Sequence, residues 1–178
     1  FNLENRSIDV ALDGQISNFA VINFNSNNPS ISETTRLQYL DTSTPLFRIN
    51  GKEAMEPELL LKSAPSFLRW ILKALFIEDT VDRYYDFRRV IIDLIANFYK
   101  EQKPEIIPSL IMVANQFLRE EANNHKIKPL QIGEIRDYYK DDAQMWEIFQ
   151  RVRKLDRWLH SKVLGKRYPF YLPGKIER

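Results

Sequence analysis

Residues 142–164, DAQMWEIFQRVRKLDRWLHSKVL, repeat apolar side chains at helical intervals with no glycine or proline to interrupt them. At about 100° per residue, Met145, Ile148, Phe149, Val152, Leu155, Leu159 and Val163 fall on one stripe, which predicts an amphipathic helix with that stripe toward a core. Asp141 or Asp142 is the expected N-terminal cap and Gly165 the expected stop. Tyr168 to Arg178, with Pro169 and Pro173, should leave as an extended tail.

A helix that buries one face needs upstream partners, and the sequence supplies them from Glu56 onward. Helix one is expected from Pro57 or Ser63 to about Ile77, and helix two from Glu78 or Asp79 to Gln102, where Lys103-Pro104 ends it. Helix three follows from Pro104 to Ala122, with Pro108 tolerated in the opening turn and Asn123-Asn124-His125 closing it. A two-turn helix over Ile132–Tyr139 is expected before Asp141-Asp142. Helix one is apolar around most of its circumference, through Phe67, Leu68, Trp70, Ile71, Leu72, Leu75 and Phe76. It reads as the buried centre of a bundle, or as a partner-binding or interfacial element.

The first 50 residues differ. Ile8, Val10 and Leu12 alternate, Asp13-Gly14 interrupts, and Ile16, Ala20, Ile22 and Phe24 then share a face, which predicts a hairpin turning at Asp13-Gly14. Asn23 to Thr44, rich in Asn, Ser and Thr around Pro29, is expected to be loop. An isolated hairpin is marginal, so this one should dock on the helices or pair with another chain. The expected architecture is mainly α within an α+β class: a four- to five-helix bundle over residues 56–178, an N-terminal β-hairpin appendage over 1–55, and an extended C-terminal tail.

Composition narrows the function classes. The 178 residues contain no cysteine, which removes disulfides, thiolate chemistry and Cys-ligated zinc and leans toward a cytoplasmic setting. His125 and His160 are the only histidines, so a multi-histidine metal site within one chain is excluded, and no cofactor is expected. Glycine-rich phosphate loops, nucleophile elbows and dinucleotide fingerprints are absent. The longest apolar run, Ala64–Ile77, is broken by Arg69 and Lys73 and is shorter than the roughly 18 to 20 residues a membrane span needs. A first residue that is Phe reads as a processed chain or part of a longer one.

Charge is segregated rather than scarce. The last 28 residues carry nine Lys or Arg against two acids, or +7, while the whole chain is +2, which leaves −5 for the first 150. A basic end of this kind fits an anionic counterpart: an acidic protein surface, a nucleic acid or a lipid surface. Arg151, Lys154, Trp158 and Lys162 stand at helical offsets that place an indole among three cations. Lys166, Arg167, Tyr168, Phe170 and Tyr171 extend that chemistry into the tail, where Tyr and Arg are common hot-spot types. The competing reading packs Trp158 on a neighbouring helix or the tail, with Lys and Arg stems around it.

Arg153, Asp156, Arg157 and His160 lie on the other flank. An Arg followed, after six residues, by a His resembles the spacing in the HEPN family of helical-bundle ribonucleases. The resemblance covers two residues and departs at Lys154, where that family usually has a small polar residue. It implies a dimer in which Arg and His act on a 2′-hydroxyl and the scissile phosphate by general acid–base catalysis. The alternative is an intrahelical ion pair of Asp156 with Arg153 or His160. Taken together, the sequence favours a non-catalytic binding or assembly module that docks on an acidic protein through its basic C-terminal end. Nucleic-acid binding through the same residues is the alternative, followed by a membrane-surface role and the ribonuclease.

Overall fold

In the computed structural model, which describes residues 7–27, 29–40, 47–56, 64, 69, 81–172 and 174, Asp86 turns the chain into the helix α1 (Phe87–Lys100). The Asp86 carboxylate accepts from the backbone N–H of Arg88 at 2.9 Å and Arg89 at 3.1 Å. It thereby satisfies donors that a helix start leaves unpaired. Helix two of the sequence reading therefore begins at Phe87, later than Glu78 or Asp79, because residues 83–86 form a tight turn that hands over to this cap. At the other end Gln102 takes a left-handed φ of 57°. The N–H groups of Gln102 and Lys103 then bond back to Tyr99 O and Phe98 O at 3.2 and 2.9 Å. That pair of bonds is a Schellman stop.

A single 3₁₀ turn at Pro104–Ile106 leads into α2 (Ile107–Glu120), with both prolines in the opening turns as expected. The third helix, α3 (Ile132–Trp158), runs for 27 residues and continues through one wider turn at Leu159–Val163. This merges the expected two-turn helix and the last helix. Asp141-Asp142 is helix interior, and Asp142 bonds the Lys100 ammonium at the end of α1 at 3.1 Å. The described residues thus form an α+β fold with three long helices where four to five were expected. Helix one, over 57–77, falls almost wholly outside the described residues.

The core lies where the three helices meet. Ile92, Ile95, Ala96, Ile107, Ile111 and Ile135 form its centre, and Tyr99 stacks on Tyr139 with ring centroids 4.9 Å apart. Two polar clamps fix the entry to α3. Asn115 accepts from Leu130 N at 2.7 Å and donates to Leu130 O at 3.0 Å. Arg88 donates to Lys128 O, to Pro129 O and to both oxygens of Glu134, whose carboxyl this guanidinium holds below its usual range.

The hairpin turning at Asp13-Gly14 does not form. Strand β1 (Ile8–Val10) pairs antiparallel with β4 (Phe47–Ile49), which also pairs with β5 (Lys52–Glu53). A separate ribbon joins β2 (Phe19–Val21) to β3 (Leu37–Tyr39), so part of the expected Asn23–Thr44 loop is strand. Asn50-Gly51 is the true two-residue turn, with φ of 51° and 75°. Those values match the two positive φ angles of a type I′ hairpin. Gly14 serves a different purpose. A Cβ there would stand 2.5 Å from Val90 O, so glycine lets the N-terminal arm lie directly on α1.

The sheet anchors on the chain just before α1. Leu12 N donates to Tyr84 O at 2.9 Å and Tyr85 OH to Glu53 at 2.8 Å. Arg48 bonds Asp82 and Glu53 and lies over the Tyr85 ring. Asp82, joined by Glu53, raises its already high pKa further against the opposing effect of burial. Among the described residues no helix is long and apolar enough to cross a membrane.

Candidate partner-binding face

Helix lengths determine what α3 can bury. Fourteen residues each give α1 and α2 about 21 Å, whereas the 27 of α3 reach about 40 Å. Its first half packs against both partners, with Ile135 at 0% exposure. The second half overhangs. Met145, Ile148, Leu155 and Val163, placed toward a core by the sequence reading, are exposed.

The descending tail covers one side of this overhang. The Lys166 N–H bonds His160 O at 2.9 Å and the Arg153 guanidinium donates to Tyr171 O at 3.1 Å, which folds the chain back along the helix. Through Leu172, then, the tail is not extended into solvent. Under it sit Arg153 and Asp156, buried at 9% and 4% exposure, and His160, whose Nδ1 lies 3.3 Å from Asp156 Oδ1. Tyr168 meets the His160 ring at 5.5 Å and Phe170 at 5.7 Å, while Arg153 lies over both Phe149 and Phe170. Burial pushes the Tyr168 phenol up, opposed by Arg153. The pair that resembles the HEPN spacing thus belongs to the tail-covered side, and Arg153 is committed to contacts within the chain.

The opposite side remains open. Ile148, Arg151, Leu155, Trp158 and Lys162 follow one another at intervals of three and four, the spacing of a helix–helix seam. Exposure is 56% at Ile148, 52% at Leu155 and 54% at Trp158. Arg151 reaches Glu147 one turn back at 2.6 Å, an exposed pair that contributes little. Among the described residues no carboxylate lies within ion-pair distance of Lys154 or Lys162, nor of Lys166 and Arg167 beyond the helix.

Of the nine expected site residues, the helix therefore gathers Arg151, Lys154, Trp158 and Lys162 on one exposed flank, with Lys166, Arg167 and Tyr171 also exposed. Tyr168 and Phe170 are half-buried against the inner side and are not free anchors. The seam adds Ile148 and Leu155, which the sequence reading assigned to the core. Their signal was the uninterrupted helical pattern from Ile132 onward, too long for its neighbours to cover.

Residues 2–157 match a family model. The chain belongs to DUF6206, a family of unknown function. Searches among curated proteins and among solved structures find no match. The DUF6206 match takes in the sheet, the three-helix core, Arg151 and Lys154, and stops one residue before Trp158. Trp158, Lys162 and the folded-back tail lie beyond it.

Proposed function

We propose that this chain is a non-catalytic binding or assembly module that docks an acidic protein surface on the outer face of its overhanging helix. The observation that carries this reading is the exposed Trp158, set among Arg151, Lys154 and Lys162 and continuous with Ile148 and Leu155. Trp and Arg are frequent interface anchors, and a contiguous apolar seam on a solvent-facing helix favours a partner that covers it. The apolar members separate this reading from nucleic-acid binding. A phosphate backbone satisfies lysines but offers Ile148 and Leu155 nothing to bury against.

A photo-cross-linking residue at Leu155 tests the proposal in native extract. The expected product is an adduct with an acidic protein, lost in Lys154→Glu/Lys162→Glu and retained in His160→Ala. Adducts with RNA or DNA, together with heparin retention that falls steeply with salt, would transfer the face to the nucleic-acid reading. No adduct above that of a cross-linker placed at the exposed Lys103 would reject both.

A further inference from the structure

Away from α3, the N-terminal arm, α1 and α2 enclose an open trough of about 530 Å³. One wall is α1 from Phe87 through Leu94 to Phe98, eleven residues apart and hence about 16 Å long. The facing wall is α2, through Val113, Ala114 and Phe117, and the Phe87 and Phe117 rings stand 6.2 Å apart. The floor is firm, because Ile95 belongs to the core and Gly14 seats the arm directly on the α1 backbone.

The chemistry of the lining limits the occupant. Every residue that lines the trough is apolar or glycine, so no side chain there can neutralise a charge or pair a polar group. A nucleotide, sugar or polar peptide would lose its hydration with nothing in return. The volume lies within the roughly 300–1,000 Å³ typical of small-molecule sites. Spread over a wall of about 16 Å, it makes a narrow channel suited to a flexible chain rather than a compact ring system. Because the trough is open, with Val113 and Leu37 exposed at its edge, a polar head group can stay in water while the chain lies inside.

We propose that this trough binds the alkyl chain of one long-chain fatty acid, with its carboxylate left in solvent. Each methylene moved from water into the trough should tighten binding about fourfold, the equivalent of ~0.8 kcal/mol.

Calorimetric titration of the whole chain with octanoate, laurate and palmitate tests this. The expected result is one saturable site whose affinity climbs with chain length until the trough is full. Ala114→Phe, which puts a ring into the trough, should weaken palmitate at least about tenfold. Val113→Glu, a change at the exposed edge that leaves the core alone, should do the same with an unchanged melting temperature. Absence of saturable binding, affinity independent of chain length, or unchanged affinity in both variants would overturn the proposal. A photo-cross-linker at Val113 identifies the occupant directly: a palmitate adduct supports it, whereas a link to another segment of the chain or to a second copy refutes it.

Discussion

The two halves of α3 follow the same periodicity and meet different surroundings. Up to about Asp142 the helix is gripped by α1 and α2, with Ile135 fully enclosed and Tyr139 stacked on Tyr99. Beyond it the same 3.6-residue repeat continues into solvent on one side and under a folded-back tail on the other. Periodicity sets which residues share a face, but neighbour length sets whether that face is buried. An apolar stripe that outruns its neighbours becomes an interface or a liability.

The largest test of that contrast compares equivalent truncations in each half. Ile135→Ala should cost about 2–5 kcal/mol in denaturant unfolding, the range for an aliphatic side chain removed from a closed core. Leu155→Ala should cost less than about 0.5 kcal/mol. Equal costs would mean the overhang is packed. Next comes Gly14→Ala, whose added Cβ meets a backbone oxygen that a rotamer change cannot move. It should destabilise by about 1–3 kcal/mol, and because Gly14 also floors the trough, it should change palmitate binding as Leu155→Ala does not.

The gripped half also contains a buried polar contact with a predictable pH response. Arg83 donates to Tyr138 OH at 3.2 Å, and Tyr138 donates to Asp93 at 3.0 Å, linking α1 to α3. Burial raises the Asp93 pKa above its ordinary 3.8 despite the hydrogen bond from Tyr138. Burial also pushes the Tyr138 phenol up. A carboxyl whose folded pKa is raised gives its full stabilising contribution below the unfolded value and loses it as pH climbs through the folded value. Asp93→Asn keeps an acceptor for Tyr138 and removes this loss. Its denaturation midpoint relative to the wild type should therefore rise as pH climbs above the ordinary carboxyl value of 3.8 and level once the folded carboxyl has ionised. A relative midpoint that falls instead would mean that Arg83 and Lys100 hold the charged form.

How much of this was legible in the sequence depended on whether local rules competed with tertiary ones. Helix three was placed closely because Pro104, Pro108 and the Asn123-Asn124-His125 close act locally. The N-terminal turn was misplaced because Asp13-Gly14 and Asn50-Gly51 carry the same short-range signal. Only the docking of Gly14 on Val90 and the pairing of Ile8 with Ile49, 41 residues apart, decide between them. Asp141-Asp142 looked like a cap because the sequence cannot show Lys100 waiting across the groove. That Arg151, Lys154, Trp158 and Lys162 share one helical flank follows from spacing alone, whereas the exposure of that flank depends on neighbours the sequence does not show. Tyr168 and Phe170 were taken as free because nothing local announces that Arg153 will hold the Tyr171 carbonyl.

The smallest expected effect bears most on function. Trp158→Ala should change stability by less than about 0.5 kcal/mol, against about 3–5 kcal/mol if the indole were core. In a Trp70→Phe background, which leaves two indoles, the emission lost in that variant should be the fraction more accessible to acrylamide, because Trp146, at the base of the overhang, is half-buried. Both outcomes are required together. A costly truncation with a shielded indole would place Trp158 in packing and leave Lys154 and Lys162 as ordinary solvated charge. A silent truncation with a quenchable indole leaves an aromatic ring that the fold itself does not use. Such a ring, flanked by Lys154 and Lys162, which have no carboxylate partner among the described residues, would gain its stabilisation only when another molecule covers it.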